Sequence, residues 1–303
     1  MPSPFLEALK RRVLVLDGAI GTAIHEYNLP LSDYDGLENC SEVLVLTRPD
    51  VVQEIHESHL RVGCDAVETN TFGGMKHVLV EFGLQDRCRE INRAAVAIAR
   101  RACAAFSTPD KPRFVLGSIG PGTKLITLGQ IDWDTMHDSY AEQVRGLLDA
   151  PPGERADALL IETSQDLLQC KCAVNAAVDV QREMGIWETD EQIPIFVQVT
   201  VETTGTMLVG SDIAAALAAL DQLPIAGIGM NCATGPREMA DNVRYLTRHT
   251  SHFVSVVPNA GLPILQDGRT VFPLQPETLA SSIKTFVEVD GVNLVGGCCG
   301  TTP

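Results

Sequence analysis

The 303-residue sequence predicts a single α/β domain of the (β/α)8, or TIM-barrel, type. Eight short apolar runs alternate with segments of helical periodicity, and such continuous runs are typical of parallel strands buried on both faces. Nearly every run also ends in a polar or glycine-rich signature. A closed barrel gathers all eight carboxyl strand ends at one face, whereas an open doubly wound sheet gathers only those at its switch point. The recurring polar endings therefore favour the barrel.

The individual elements follow from the same patterns in chain order. Strands are expected at 13–16, 66–68, 114–119, 158–162, 195–199, 225–230, 253–257 and 292–295. A helical stripe runs through Ile91, Ala95, Ile98 and Ala102, and proline or capping residues predict five further helix starts at Pro49, Asp132 or Asp134, Ser211 or Asp212, Pro236 and Pro276. The segments 108–113 and 151–155 are expected to be loops. The chain stops after the eighth run, so we expect the final barrel helix to be absent and residues 1–303 to be one domain of a longer multidomain chain.

The composition excludes several classes of protein. Hydrophobic residues make up 45% of the chain and charged residues 20%, which is ordinary for a globular core. The net charge of −16 makes nucleic acid and anionic membranes poor partners. Neither a membrane-spanning run nor a secretory signal is visible. The nine cysteines, an odd number in a chain of this size, indicate a reduced, cytoplasmic protein.

Three cysteines follow two neighbouring strands of the predicted barrel. Cys232 ends the sixth strand, and Cys298 and Cys299 end the eighth, with glycines around them that allow a sharp turn. Zinc accepts sulfur ligands in tetrahedral geometry, and three protein ligands plus an open position is the catalytic pattern. Two alternatives stay open from the residues alone: buried thiols that only fill the core, and a redox pair at Cys298–Cys299. The remaining six cysteines are interpreted as core residues.

Three acidic residues, Asp17, Glu68 and Glu162, are predicted at the same rim. Carboxylates gathered in this way suit a cationic group such as an ammonium, although Asp17 could simply hold the adjacent turn. Backbone N–H groups in the segment 18–22 could cradle a carboxylate. Together these features indicate a site for an α-amino acid.

Four motifs then resemble the homocysteine S-methyltransferase family over nearly the whole chain: DGAIGT at 17–22, ETNTF at 68–72, GMNC at 229–232 and GGCCG at 296–300. Within that family the sequence is most similar to the N-terminal homocysteine-binding modules of cobalamin-dependent methionine synthases. The motifs that carry this closer resemblance are TRPD at 47–50, IGPGTK at 119–124, ETSQD at 162–166 and PNAGLP at 258–263.

The resemblance implies zinc on the three cysteines, with Asn259 filling the fourth position before substrate arrives. It implies that the homocysteine amino group lies near Asp17 and Glu162 and its carboxylate near the turn that contains Gly18, Gly21 and Thr22. Zinc would convert the thiol, whose pKa is about 8.5 in water, to a nucleophilic thiolate that accepts a methyl group and becomes methionine. The donor would be methylcobalamin on a separate domain or protein, with folate- and cobalamin-binding modules as partners.

Two other functions remain open on the sequence. A stand-alone methyltransferase would use S-methylmethionine, S-adenosylmethionine or betaine, and betaine is disfavoured because the chain is only 5% aromatic. A non-catalytic scaffold stabilised by zinc would need a fourth protein ligand. His252 begins the seventh strand, at the opposite end of the barrel, so it does not supply one.

Overall fold

The computed structural model describes residues 3–266 and 269–303. Eight of its strands form one parallel sheet in the order β1-β10-β7-β6-β5-β4-β3-β2, and a parallel bridge between Leu16 and Ala66 brings the two edges together. The predicted (β/α)8 barrel is therefore confirmed. The strands are β1 (Leu14–Val15), β2 (Ala66–Glu68), β3 (Phe114–Ile119), β4 (Ala158–Ser164), β5 (Ile195–Val199), β6 (Gly227–Asn231), β7 (Phe253–Val257), β8 (Ile264–Gln266), β9 (Arg269–Val271) and β10 (Leu294–Val295).

All six helices predicted from the sequence are present in the structure. Asp132 and Asp212 are the N-caps of α7 and α9, and their carboxylates accept backbone N–H groups in the first turn. Prolines occupy the first position of α4, α10 and α11. The helices are α1 (Pro4–Arg11), α2 (Ile20–Glu26), α3 (Leu44–Thr47), α4 (Pro49–Val62), α5 (Lys76–Leu79), α6 (Cys88–Phe106), α7 (Trp133–Leu147), α8 (Leu167–Glu183), α9 (Ile213–Leu220), α10 (Pro236–His249) and α11 (Pro276–Thr285). Within the described ranges, none of the helices combines the length and apolarity needed to cross a membrane.

The antiparallel hairpin of β8 and β9 was not predicted. Its sequence signal is the Asp-Gly pair at 267–268, which is typical of two-residue hairpin turns but lies outside the described residues. Residues 296–303, which follow β10, form no helix. Val15 on β1, the strand that pairs with β10, is 41% exposed.

Helix α1, also absent from the sequence prediction, closes the amino-terminal mouth of the barrel. Phe5 is fully buried, and its ring meets those of Phe114 and Phe196 edge-on at 5.4 and 5.6 Å between centroids. These two phenylalanines lie at the beginnings of β3 and β5 and belong, with Leu14 and Leu160, to the same interior cluster. The barrel is therefore sealed with aromatic side chains at one end, which leaves the carboxyl ends of the strands as its open face.

We expect Phe5→Ala to lower the free energy of unfolding by about 3–5 kcal/mol, because it leaves a cavity between two buried aromatic rings. Urea denaturation of the variant and the parent measures this. Leu265→Ala is the control, since Leu265 is 79% exposed and its truncation should change stability by less than about 0.5 kcal/mol. Equal, small effects of both substitutions would mean that α1 does not pack into the barrel.

Candidate active site

Strand β4 carries an irregularity that directs Glu162 into the open face. Its pairing with β5 shifts register between Ile161 and Ser164, and Thr163 has a φ of 55°. A left-handed backbone is strained for a β-branched residue, and bulges of this kind re-aim side chains next to active sites. The sequence turns from apolar to Glu-Thr at this point, so the distortion falls where the strand leaves the core.

Two neighbouring side chains hold the Glu162 carboxylate. Ser118, on β3, donates its hydroxyl to Oε1 at 2.5 Å, and Asn231, the last residue of β6, donates Nδ2 to Oε2 at 3.2 Å. Asn231 also binds Thr163 twice, accepting its backbone N–H at 2.7 Å and donating to Oγ1 at 2.8 Å. The strained segment is thereby tied to the end of β6.

Asp17 and Glu68 lie at the seam between β1 and β2. The backbone N–H of Glu68 donates to both carboxylate oxygens of Asp17 at 3.2 Å, and Nδ1 of the buried His56 lies 4.0 Å from Asp17 Oδ2. Burial and the charge of Glu162 raise the pKa of both carboxyl groups well above their usual values, and the charge of Asp17 raises the pKa of Glu68 further. The two acids predicted from strands one and two are thus close enough to repel each other.

The acidic group as a whole lacks a compensating cation. Burial, with repulsion from Cys232 in addition, raises the pKa of Glu162 to about 7. Among the described residues, no lysine or arginine forms an ion pair with Asp17, Glu68 or Glu162. Buried carboxylates are normally paired, so this arrangement is suited to a cationic ligand.

The three cysteines predicted at strand ends come together. Their sulfur atoms all lie within 4.8 Å of one another, and Cys232 Sγ is 4.0 Å from Cys299 Sγ. Cys232 follows β6 with a left-handed φ of 60°, while Cys298 and Cys299 follow β10. Asn259 lies beside them, since its Oδ1 accepts the backbone N–H of Cys299 at 3.1 Å.

The glycines around these cysteines serve two different purposes. Gly300 has a φ of +79°, a conformation that favours glycine, so it supplies the expected sharp turn. Gly297 instead makes room, because a Cβ there would lie 2.4 Å from the Thr301 side chain. The paired cysteines can therefore face the same point only with glycine on both sides.

The donor set of this cluster fits a zinc ion. Hydrogen bonds from the Cys298 and Cys299 thiols lower the pKa of Cys232 to about 3, whereas that first thiolate raises the pKa of Cys299 to about 11 and that of Cys298 well above its usual value. Without a cation the cluster therefore carries one charge instead of three. Sulfur atoms around a tetrahedral zinc, each at about 2.3 Å, lie about 3.8 Å apart, close to the observed spacing.

The thiol cluster and the acidic residues face one cavity of about 250 Å³. Its walls include Glu68, Glu162 and the three cysteines, together with Gly21 and Thr22. Asp17, Gly18 and Asn259 are not among its lining residues, although Asp17 accepts the N–H of the lining residue Glu68 and Asn259 accepts that of Cys299. The structure differs from the expectation at 18–22, because Ile20–Glu26 is the helix α2 and the predicted turn is its first turn.

Three residues in or next to the cavity were not predicted as site residues: Ser118 and Glu42 line it, and Asn231 binds the lining residue Glu162. Ser118 and Asn231 are inward-facing strand ends, so strand register could have indicated them, but no signal pointed to Glu42. Glu42 is 6% exposed, lines the cavity and accepts the backbone N–H of Gly73 at 2.7 Å. The six cysteines interpreted as core residues are all buried, and burial raises their pKa values to about 11 or 12: Cys40, Cys64, Cys88, Cys103, Cys170 and Cys172.

Comparisons with known proteins identify the family of the chain. A sequence profile described as homocysteine S-methyltransferase matches residues 14–303. Methionine synthases of Mycobacterium leprae (strain TN) and Mycobacterium tuberculosis (strain ATCC 25618 / H37Rv) are 49% and 48% identical over 298 residues, which is 98% of this chain but 24% of theirs. The metallated form of the homocysteine methyltransferase MmuM from Escherichia coli superposes with a TM-score of 0.76 at 21% identity, over 100% of this chain and 96% of that one, a likeness of fold alone.

The chain therefore belongs to the homocysteine S-methyltransferase family, and the predicted enzyme class, a methyltransferase, is confirmed at that level. It spans about a quarter of the length of the curated relatives it matches.

We expect Glu162→Gln to stabilise the metal-free protein progressively as the pH rises from 5 to 8. Folding raises the pKa of Glu162 from 4.5 to about 7. The stability that the parent protein gains from neutral Glu162 is therefore fully present below the unfolded-state pKa of 4.5, and it is lost as the pH rises through the folded-state pKa of about 7. The difference in unfolding free energy between variant and parent should be small at pH 5 and on the order of 3 kcal/mol at pH 8. A difference independent of pH would show that Glu162 titrates normally.

Proposed function

We propose that this chain binds zinc through Cys232, Cys298 and Cys299 and activates homocysteine for methylation to methionine. The observation that carries the proposal is that one cavity is lined both by the three thiols and by carboxyl groups with no compensating cation among the described residues. That arrangement matches the two ends of an amino acid that bears a thiol. Membership of the family supports the same substrate.

The acidic wall is proposed to bind the ammonium group. Glu162 and Glu68 line the cavity, and Asp17 behind them adds to the negative potential. An ammonium ion entering here would restore the charge balance that the buried acids lack, and it would favour their ionised forms.

The first turn of α2 is proposed to bind the carboxylate. Gly21 and Thr22 line the cavity in that turn, where backbone N–H groups have no partner inside the helix. The apolar side chains of Ile20 and Val257 line the same space and limit access of water. The amino acid would therefore lie with its α-carbon between α2 and β4 and its side chain toward the cysteines.

Zinc, when bound, supplies a Lewis acid that lowers the pKa of the substrate thiol, so no general base is needed. The chain holds the amino acid by its other two groups, which fixes the direction in which the sulfur presents its lone pair. We propose Asn259 as the occupant of the fourth position in the absence of substrate, because it lies against the cluster through Cys299.

We propose methylcobalamin, carried by another module, as the methyl donor. The support is the 49% identity to a methionine synthase of which this chain corresponds to 24%, which leaves room for folate- and cobalamin-binding modules in such proteins. Assays with S-methylmethionine, S-adenosylmethionine and betaine as competing donors would distinguish a stand-alone methyltransferase.

We also propose a cytoplasmic location. The nine cysteines, all within the described ranges, are free thiols, which supports this proposal.

We expect Cys232→Ala, Cys298→Ala and Cys299→Ala each to lose zinc while the barrel stays folded, because two remaining thiols hold the ion poorly. Metal content after dialysis and circular dichroism measure the two properties. Cys170→Ser is the matched control, since this thiol is buried in α8 and should not affect metal content. Full zinc content in any of the three alanine variants would refute the ligand assignment.

Calorimetric titration of L-homocysteine into zinc-loaded and zinc-stripped protein tests the proposed activation. Binding should require zinc and release about one proton per homocysteine, obtained from two buffers of different ionisation enthalpy, because the thiol pKa of about 8.5 keeps the free ligand protonated at pH 7. Binding that ignores zinc, or no binding to folded zinc-loaded protein, would instead favour the zinc-stabilised scaffold.

A further inference from the structure

We infer that Ser118 and Asn231 are positioning residues that aim the Glu162 carboxylate at the ammonium group of the substrate, and thereby set the preference for an α-amino acid. The inference rests on the proposed function, because it names the residues that make its ammonium site selective. Both residues act on the substrate through Glu162.

Each oxygen of the Glu162 carboxylate receives one donor from a different strand. Ser118 Oγ donates to Oε1 at 2.5 Å from β3, and Asn231 Nδ2 donates to Oε2 at 3.2 Å from β6. Both donors are buried, with exposed fractions of 2% and 1%. A carboxylate held at both oxygens has a fixed plane, so its free lone pairs point in fixed directions into the cavity.

Asn231 also fixes the backbone that carries Glu162. Its Oδ1 accepts the N–H of Thr163, and its second amide hydrogen is donated to Thr163 Oγ1 at 2.8 Å. The opposite orientation of the amide would place an oxygen against the carboxylate, so the hydrogen-bond network defines the orientation seen here. Thr163 keeps its strained φ of 55° because this neighbour satisfies both of its polar groups.

The consequence is specific to ligands that carry an α-amino group. A thiol that lacks the amino group, 4-mercaptobutanoate, offers the same sulfur and carboxylate as homocysteine but nothing for Glu162 to bind. Misaiming Glu162 therefore weakens homocysteine binding and leaves 4-mercaptobutanoate binding unchanged. A general disturbance of the barrel or of the cysteine cluster would weaken both ligands alike.

The test compares dissociation constants of L-homocysteine and 4-mercaptobutanoate on the zinc-loaded 303-residue chain and its Ser118→Ala and Asn231→Ala variants. The preference for homocysteine should fall about tenfold in each variant, the effect of one hydrogen bond to a charged group, with zinc content unchanged. The matched control is Ser255→Ala, because Ser255 is a fully buried barrel serine on β7 that accepts a hydrogen bond from Gln198 at 3.1 Å. This control should keep the full preference.

The possible outcomes distinguish a failure of the positioning role from a failure of the proposed function. Full preference in both variants would overturn the positioning role while leaving the proposed function intact. Equal weakening of both ligands would also overturn it, because that result describes a structural residue. If the parent shows no preference at all, the ammonium site and the proposed function fail together with the inference. If Asn231→Ala does not fold, Ser118→Ala decides alone, since it removes only one hydroxyl.

Discussion

Uncompensated negative charge, buried at the open end of the barrel, is the constraint on which the rest of the site depends. Three carboxyl groups, those of Glu42, Glu68 and Glu162, and three thiols line one cavity of about 250 Å³, and Asp17 contacts Glu68 next to it. Burying ionised groups without partners is costly, and burial accordingly raises the pKa of both Glu162 and Asp17. The proposed function relieves this cost with two cations, one at the sulfur atoms and one at the carboxylates.

The barrel tolerates this arrangement because the opposite end is sealed and the strands fix the rim. Phe5 closes the amino-terminal mouth against two aromatic rings, so the interior changes from apolar to polar along each strand. Strand β6 ends in Asn231, which holds the distorted part of β4, and continues directly into Cys232, which faces the thiol cluster. Thr163 and Cys232, both with left-handed backbone, therefore line the same cavity and are linked through Asn231.

Apolar runs and their polar endings predicted all eight barrel strands from the sequence. The rule that carboxyl strand ends share one face of a barrel also predicted that Glu162 and the cysteines lie at the same rim. Helix α1 was not predicted from the sequence, because it belongs to no βα unit and packs by burying Phe5 inside the barrel. Ser118 and Asn231 were not predicted as site residues for a different reason. Their importance depends on where Glu162 points, and a bulge sets that direction through long-range pairing of β4 with β5. Sequence patterns report which residues reach the rim, but only tertiary structure reports which of them touch.

The fold by itself does not determine the chemistry, because barrels of this architecture carry many unrelated activities. What distinguishes this rim is the combination of buried acids and thiols at one cavity. The acids come from β1, β2 and β4 and the thiols from β6 and β10, and because β1 pairs directly with β10 the two sets of side chains adjoin at the rim. For the proposed ligand, an amino acid that bears a thiol, the distance between the two sets of side chains matters. That distance is set in part by the end of β6, because Asn231 holds Glu162 and the next residue, Cys232, belongs to the thiol cluster.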